Sequence, residues 1–355
     1  MNSVCLTARI VQSLREVGLR ASRPQLENLA LLCQALAYSP DCHLANLALH
    51  VPLAERRASV TQRLQRCLKN EHWAGSSSYA PVMQHILRTW TGSELCLVLD
   101  RTDLAADLSI LLLGAAYHKR TLPLTWQVLR FGGTGAAEQL PLLQGVQPYL
   151  PADVPVCLLA DNEFRSLDVQ AWCRQHGWHW QVGVRCELNF RTANTDWRPL
   201  RSLGLARGER RYIQAAYLGL HEAFGPVNLI ADWAPTQSGP RYWALDRPAN
   251  AQAWRYGRKR YWIEPTFRDW KSAGFDLEAS QLRDPQRLER LLLAIALTSL
   301  WLSHIGEWLQ RSGRSAEFAR RTTDYSRLRL ARDYLQRCQL VGGQFPVSFD
   351  VAGWA

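Results

Sequence analysis

The chain changes its hydrophobic rhythm three times. Up to about residue 90 the apolar positions recur at helical spacing, as in Leu26, Leu29, Leu32 and Leu36. A short helix from Asp41 through Leu44 and Leu47, a turn at His50-Val51-Pro52 and a basic helix over 55–68 follow. The last sets Val60, Leu64, Cys67 and Leu68 beside Arg56, Arg57, Arg63 and Arg66. That pattern fits a helix-turn-helix, and a plain helical bundle as well. Gly75-Ser76-Ser77-Ser78 reads as a flexible link.

From residue 94 the texture is that of strands. Glu94 to Asp100 predicts a buried strand ending in a carboxylate, and strands at 108–117 and 121–131 follow across a His118-Lys119-Arg120 turn. A helix over 136–150, a strand over 154–160 ending at Asp161, a helix over 166–176 and a strand over 178–184 complete the run. The order β-β-β-α-β-α-β is that of a ribonuclease-H-like mixed sheet, in which the first and fourth strands are neighbours. Asp100 and Asp161 are therefore expected side by side, awaiting a third acid from a helix.

Between 186 and 248 several antiparallel strands with Pro/Gly turns are expected, at 212–220, 227–233 and 241–245. Asp284-Pro285 then opens a long helix to Leu309. Five regions result: a helical, DNA-binding 1–92; a first core part, 93–186; a β-rich insertion, 187–248; a second core part, 249–310; and a helical C-terminal region, 311–355. The greasy run Leu291 to Leu302 holds Thr298 and Ser299 and is too short to span a bilayer, so no membrane is expected.

Charge sharpens this picture. Lys and Arg number 42 against 31 Asp and Glu, a net charge of +11, which favours a polyanionic partner such as nucleic acid. The nine cysteines contain no Cys-x2-Cys pair, and several lie in apolar runs, so they read as reduced thiols in a cytoplasmic protein. The first 25 residues lack the apolar run of a signal peptide. Cys173, His176 and His179 fit no familiar zinc spacing and read as packing.

The most chemical stretch is Arg258-Lys259-Arg260-Tyr261-Trp262-Ile263-Glu264-Pro265-Thr266-Phe267-Arg268-Asp269-Trp270-Lys271. On a helix, Arg260, Glu264, Arg268 and Lys271 share one face, and Ile263, Phe267 and Trp270 an adjoining apolar stripe. Alone this describes a solvated amphipathic helix with i,i+4 ion pairs. Beside Asp100 and Asp161, Glu264 becomes the missing third acid. Pro265 removes a backbone donor and restricts Glu264, so a kink or a helix start is expected near 264.

These pieces resemble the DDE transposases of the insertion-sequence-4 group, bacterial cut-and-paste enzymes. The matches are Val98-Leu99-Asp100-Arg101-Thr102-Asp103, Leu159-Ala160-Asp161-Asn162-Glu163-Phe164 and the signature spacing Arg260-x3-Glu264-x6-Lys271. They run from about 94 to 305 and, more loosely, through Tyr325-Ser326-Arg327-Leu328. The signature Tyr falls at Gly257, with Tyr256 one place earlier, and Asn162-Glu163 stand where Arg-Gly is usual. The resemblance implies that Asp100, Asp161 and Glu264 hold two Mg²⁺ ions, with Mn²⁺ as substitute, for phosphoryl transfer on DNA. It implies end nicking, a hairpin intermediate and strand transfer, by a homodimer bound to double-stranded transposon ends and target. It also implies that Arg260, Lys271, Arg268 and Tyr256 contact DNA, and that a Trp of the insertion, Trp233 or Trp243, stacks on a flipped base. A non-catalytic DNA-binding descendant and a nuclease without strand transfer are the alternatives.

Overall fold

In the computed structural model, residues 3–105, 107–219, 223–318 and 326–351 are described; Tyr325 lies outside them. Five helices come first: α1 (Ser3–Glu16), α2 (Arg23–Tyr38), α3 (Leu44–Leu47), α4 (Arg57–Lys69) and α5 (Ser76–Arg88). The Gly-Ser stretch expected as a link is the start of α5. Gly75 takes a positive φ of 56° just before it, and a Cβ there would lie 2.2 Å from Glu289 Oε2. Glycine is needed at that position, and the serines form a helical first turn.

The next strands are β1 (Leu95–Leu104), β2 (Leu108–Tyr117), β3 (Arg120–Arg130), β4 (Val156–Ala160) and β5 (His179–Val184), with α6 (Ala136–Val146) and α7 (Leu167–Gln175) between the later ones. They lie in the order β3-β2-β1-β4-β5. β2 is antiparallel to β1 and β3, whereas β4 runs parallel to β1 and to β5. This is the ribonuclease-H-like arrangement. Leu97, Val98, Leu99, Leu158 and Leu159 are fully buried, as continuous apolar strands covered on both faces must be. β1 does not end at Asp100 as its pattern predicts. Its pairing with β2 continues to Leu104 opposite Leu108, because the polar residues 101–103 keep one paired neighbour after β4 has stopped.

Residues 187–248 continue the same sheet. β6 (Asn189–Arg191), β7 (Arg198–Pro199), β8 (Arg210–Leu218), β9 (Phe224–Asp232) and β10 (Arg241–Leu245) extend it beyond β5 in the order β10-β9-β8-β6-β7. β10 joins them to the core by antiparallel pairing with β5, Tyr242 opposite Val184.

The chain returns through α8 (Ala251–Gly257), a 3₁₀ turn over 258–262, α9 (Ile263–Arg268) and a π-turn over 269–273. The expected helix start is at Ile263, with Pro265 in the first turn, where its missing donor costs nothing. α10 (Pro285–Arg311) is capped by Asp284, whose carboxylate accepts from Arg287 N at 2.8 Å. Leu291 through Leu302 are buried among protein, so α10 is the central core helix, contacting α2, α5, β3 and α11 (Arg327–Val341).

Candidate active site

Three carboxylates meet at one edge of the core. Asp100 lies on β1 immediately beyond the last β1–β4 pair, Leu99 opposite Ala160, and Asp161 immediately follows that pair at the end of β4. Asp100 is buried, and its Oδ1 accepts from Arg101 N at 2.9 Å. Asp161 caps a short turn, with Oδ1 accepting from Glu163 N at 2.8 Å. Glu264 is the second residue of α9 and is exposed. α9 is seated by the buried side chains of Ile263 and Phe267. Thr266 Oγ1 fastens it by accepting from Thr121 N at 2.9 Å.

Arg260 joins the three. Its Nη2 stands 3.2 Å from Asp100 Oδ2 and 3.2 Å from Asp161 Oδ2, and its Nη1 donates to Glu264 Oε1 at 2.8 Å. Burial pushes the Asp100 carboxyl up to about 7, with Arg260 pulling it back and Asp161 adding to the rise. Burial lowers the Arg260 pKa, but Asp100, Asp161 and Glu264 outweigh it and hold it above the usual arginine value. Among the described residues no three Asp, Glu, His or Cys side chains already stand close enough to share an ion. The guanidinium is the charge around which these acids are gathered. Their donors are all carboxylate oxygens, the set that suits Mg²⁺ or Mn²⁺.

A groove of about 1060 Å³ leads from Asp161 and Glu264 along the ends of β5, β9 and β10. Exposed Arg185, Arg241 and Arg258 line it, as do half-buried Trp243 and Trp254. Arg210 lies 3.4 Å over the Trp254 ring and bonds Asp232 Oδ1 at 2.8 Å. Trp233 is not among the lining residues; its Nε1 donates to Gln237 O at 3.2 Å.

The basic stretch does not keep one face. Arg268 borders a separate groove with Lys119, Arg120 and Arg332, while Lys271 donates to Asp103 O and stands 3.5 Å from Glu278 Oε1. The 3₁₀ turn before α9 and the π-turn after it advance at different angles per residue, which splits a face drawn at uniform helical spacing. Tyr256 turns inward, its hydroxyl buried beside the Cys96 thiol, with Lys259 Nζ 4.4 Å from its ring. A Cβ at Gly257 would lie 2.0 Å from Gln181 Nε2, so a side chain there requires the Gln181 amide to move aside. Cys173 is buried, His176 stacks on Trp172 at 4.1 Å and His179 pairs with Asp246 at 2.6 Å, which disperses them into packing roles.

Sequence reasoning left Glu163 and Arg101 without a role, yet they pair directly, Nε to Oε1 at 2.9 Å. Their signal was the i+1 and i+2 spacing from the two acids. Trp254 was also missed, because nothing in Ala253-Trp254-Arg255 marks it apart from the chain's fourteen other tryptophans.

Compared with known proteins, residues 110–301 match the family described as Transposase DDE domain, more than half of the chain. Asp161 and Glu264 fall inside the match and Asp100 ten residues before it. No curated protein matches. Among solved structures, the chain is similar to the piggyBac transposase in a cryo-EM synaptic complex with hairpin DNA. The identity is 13% and the TM-score 0.46, over 95% of this chain and 79% of that one.

Proposed function

The chain belongs to the Transposase DDE domain family, and we propose that it cuts and joins DNA by metal-dependent phosphoryl transfer in the manner of the insertion-sequence-4 group. One observation carries this reading. The three acids that the sequence pattern singles out, from β1, the end of β4 and α9, converge on a single cation. Asp100, Asp161 and Glu264 would hold Mg²⁺ or Mn²⁺, which supplies activation of the attacking oxygen and stabilisation of the leaving one. The buried position of Asp100 keeps water away from one side of the site and strengthens charge interactions there.

The groove beside the acids is the proposed path of the DNA. Arg185, Arg241 and Arg258 would pair with phosphates along it, and Arg260 would hold the phosphate nearest the acids. Trp243, which lines the groove, is favoured over Trp233 as a stacking surface for an unpaired base. Whether cleavage passes through a hairpin depends on that stacking.

The test is nicking and joining of a DNA carrying the inverted repeats that flank the gene, with Mg²⁺. Glu264→Gln and Asp100→Asn are expected to lower cleavage by at least about a hundredfold, more than the loss of an outer partner of a metal ligand, with end binding kept. Cleavage undiminished in either variant removes that residue from the site. End binding without any cleavage by the wild type points to a non-catalytic descendant, and nicks without joined product to a nuclease.

A further inference from the structure

We propose that Arg101 and Glu163 form a brace that fixes the spacing of Asp100 and Asp161, and through it the grip of these acids on a divalent cation. The inference rests on the reading of those acids as metal ligands. The need for a brace follows from the sheet. The parallel ladder between β1 and β4 ends at Leu99 and Ala160, so both acids lie just past the last backbone pair. β4 then leaves the sheet in the turn over 162–164. Nothing in the ladder itself holds the two carboxylates at a set distance.

The brace closes that open end. Arg101 donates through Nε to Glu163 Oε1 at 2.9 Å and through Nη2 to Oε2 at 3.3 Å, a two-point, fork-to-fork pairing. The side chains are 15% and 25% exposed, so the pair is less screened than a surface ion pair. Each partner also touches one of the acids with its own backbone. Arg101 N donates to Asp100 Oδ1 at 2.9 Å, and Glu163 N to Asp161 Oδ1 at 2.8 Å. Carboxylate, backbone, side-chain pair, backbone and carboxylate therefore make a closed circuit, with the ladder as its other side.

Glu163 is itself anchored. Its Oε1 accepts from Thr134 N at 3.1 Å and from Thr134 Oγ1 at 2.9 Å, and the fully buried Gln139 donates to Thr134 Oγ1 at 3.1 Å. The carboxylate is thus held from β1, from its own turn and from the loop before α6. A direct DNA contact by Arg101 is the competing role. Two of its nitrogens serve Glu163 and the third, Nη1, bonds Asp103 Oδ1, so all three nitrogens are engaged within the protein.

The experiment is a Mn²⁺ titration of the full chain without DNA, followed by the paramagnetic resonance of free Mn²⁺, with a thermal melt of each variant. Glu163→Gln and Arg101→Gln are each expected to weaken Mn²⁺ binding by about tenfold to a hundredfold. Because they act as one unit, the double variant is expected to bind no worse than the weaker single. Wild-type affinity in both singles, or losses that multiply in the double, overturns the brace. If Glu163→Gln does not fold, Arg101→Gln decides. Asp100→Asn separates the two levels of the argument. If it abolishes binding while the singles bind as the wild type does, the brace alone falls. If it binds as the wild type does, or the wild type binds no Mn²⁺, the metal-ligand reading falls and the brace with it.

Discussion

Lys271 has three donors on its ammonium; one goes to Asp103 O, and Glu278 Oε1 stands 3.5 Å away as an ion-pair partner. It remains partly exposed beside Asp103, which lies three residues along β1 from Asp100, so a donor is open to a phosphate. Lys271→Ala is expected to weaken end binding and to reduce the slope of log K against log salt by about one. An unchanged slope with a lowered melting temperature would make Lys271 a strut between the π-turn and β1 instead. At this scale the sequence was most informative about acids and least about cations. Asp100 stands where the apolar run of β1 ends, Asp161 just past β4 and Glu264 at a helix start, positions that a pattern can locate. The destination of a long flexible arginine cannot be located so. The sequence marks Arg260 as a phosphate contact but not that its guanidinium also lies on the three carboxylates, because the attraction of three nearby charges sets its rotamer and no local pattern records them.

Between elements, small residues set how closely the site's supports approach. A Cβ at Gly183 on β5 would lie 2.8 Å from Asn162 N and 3.1 Å from Asp161 C. Those are backbone atoms and cannot rotate away. Gly183→Ala is therefore expected to displace Asp161 by a few tenths of an ångström and to lower nicking about tenfold to a hundredfold, the scale of misplacing a reacting group. It should do so without lowering Mg²⁺-independent end binding; equal nicking by the variant and the wild type would show that the turn yields. Gly257 at the end of α8 meets only the Gln181 amide, which can yield, and leads into the 3₁₀ turn that carries Arg260. The start of α9 was legible from Pro265, since proline belongs in a helix's first turn. The segments flanking it were not, because they answer to distant packing: the 3₁₀ turn lies on β1, β2 and β4, while in the π-turn Asp269 pairs with Arg120 of β3 at 2.8 Å and Trp270 Nε1 donates to Ser299 Oγ of α10 at 3.1 Å.

Across the whole molecule, the strand order of the core could be read from periodicity, but the junctions between distant segments could not. Glu289 on α10 is such a junction. Its Oε1 accepts from Val128 N on β3 at 2.6 Å, and its Oε2 fills the space that a side chain at Gly75 would need at the start of α5. It thereby ties the C-terminal core helix to the sheet and to the N-terminal helices. Burial pushes its carboxyl up to about 7, opposed by the hydrogen bonds it accepts. A carboxyl whose pKa rises on folding binds its proton more tightly in the folded state. The resulting stability is complete below the unfolded value near 4.5 and is lost as pH rises through about 7. The change is on the order of 3 kcal/mol across that window. Glu289→Gln keeps an oxygen for Val128 N and removes the ionisation, so its melting temperature is expected to fall less than that of the wild type between pH 5 and pH 8. Asp100 titrates in the same range and is present in both proteins, so the difference between the two curves belongs to Glu289. Parallel curves would mean that the junction opens to water on ionising, and that α10 is held to the sheet by its apolar face alone.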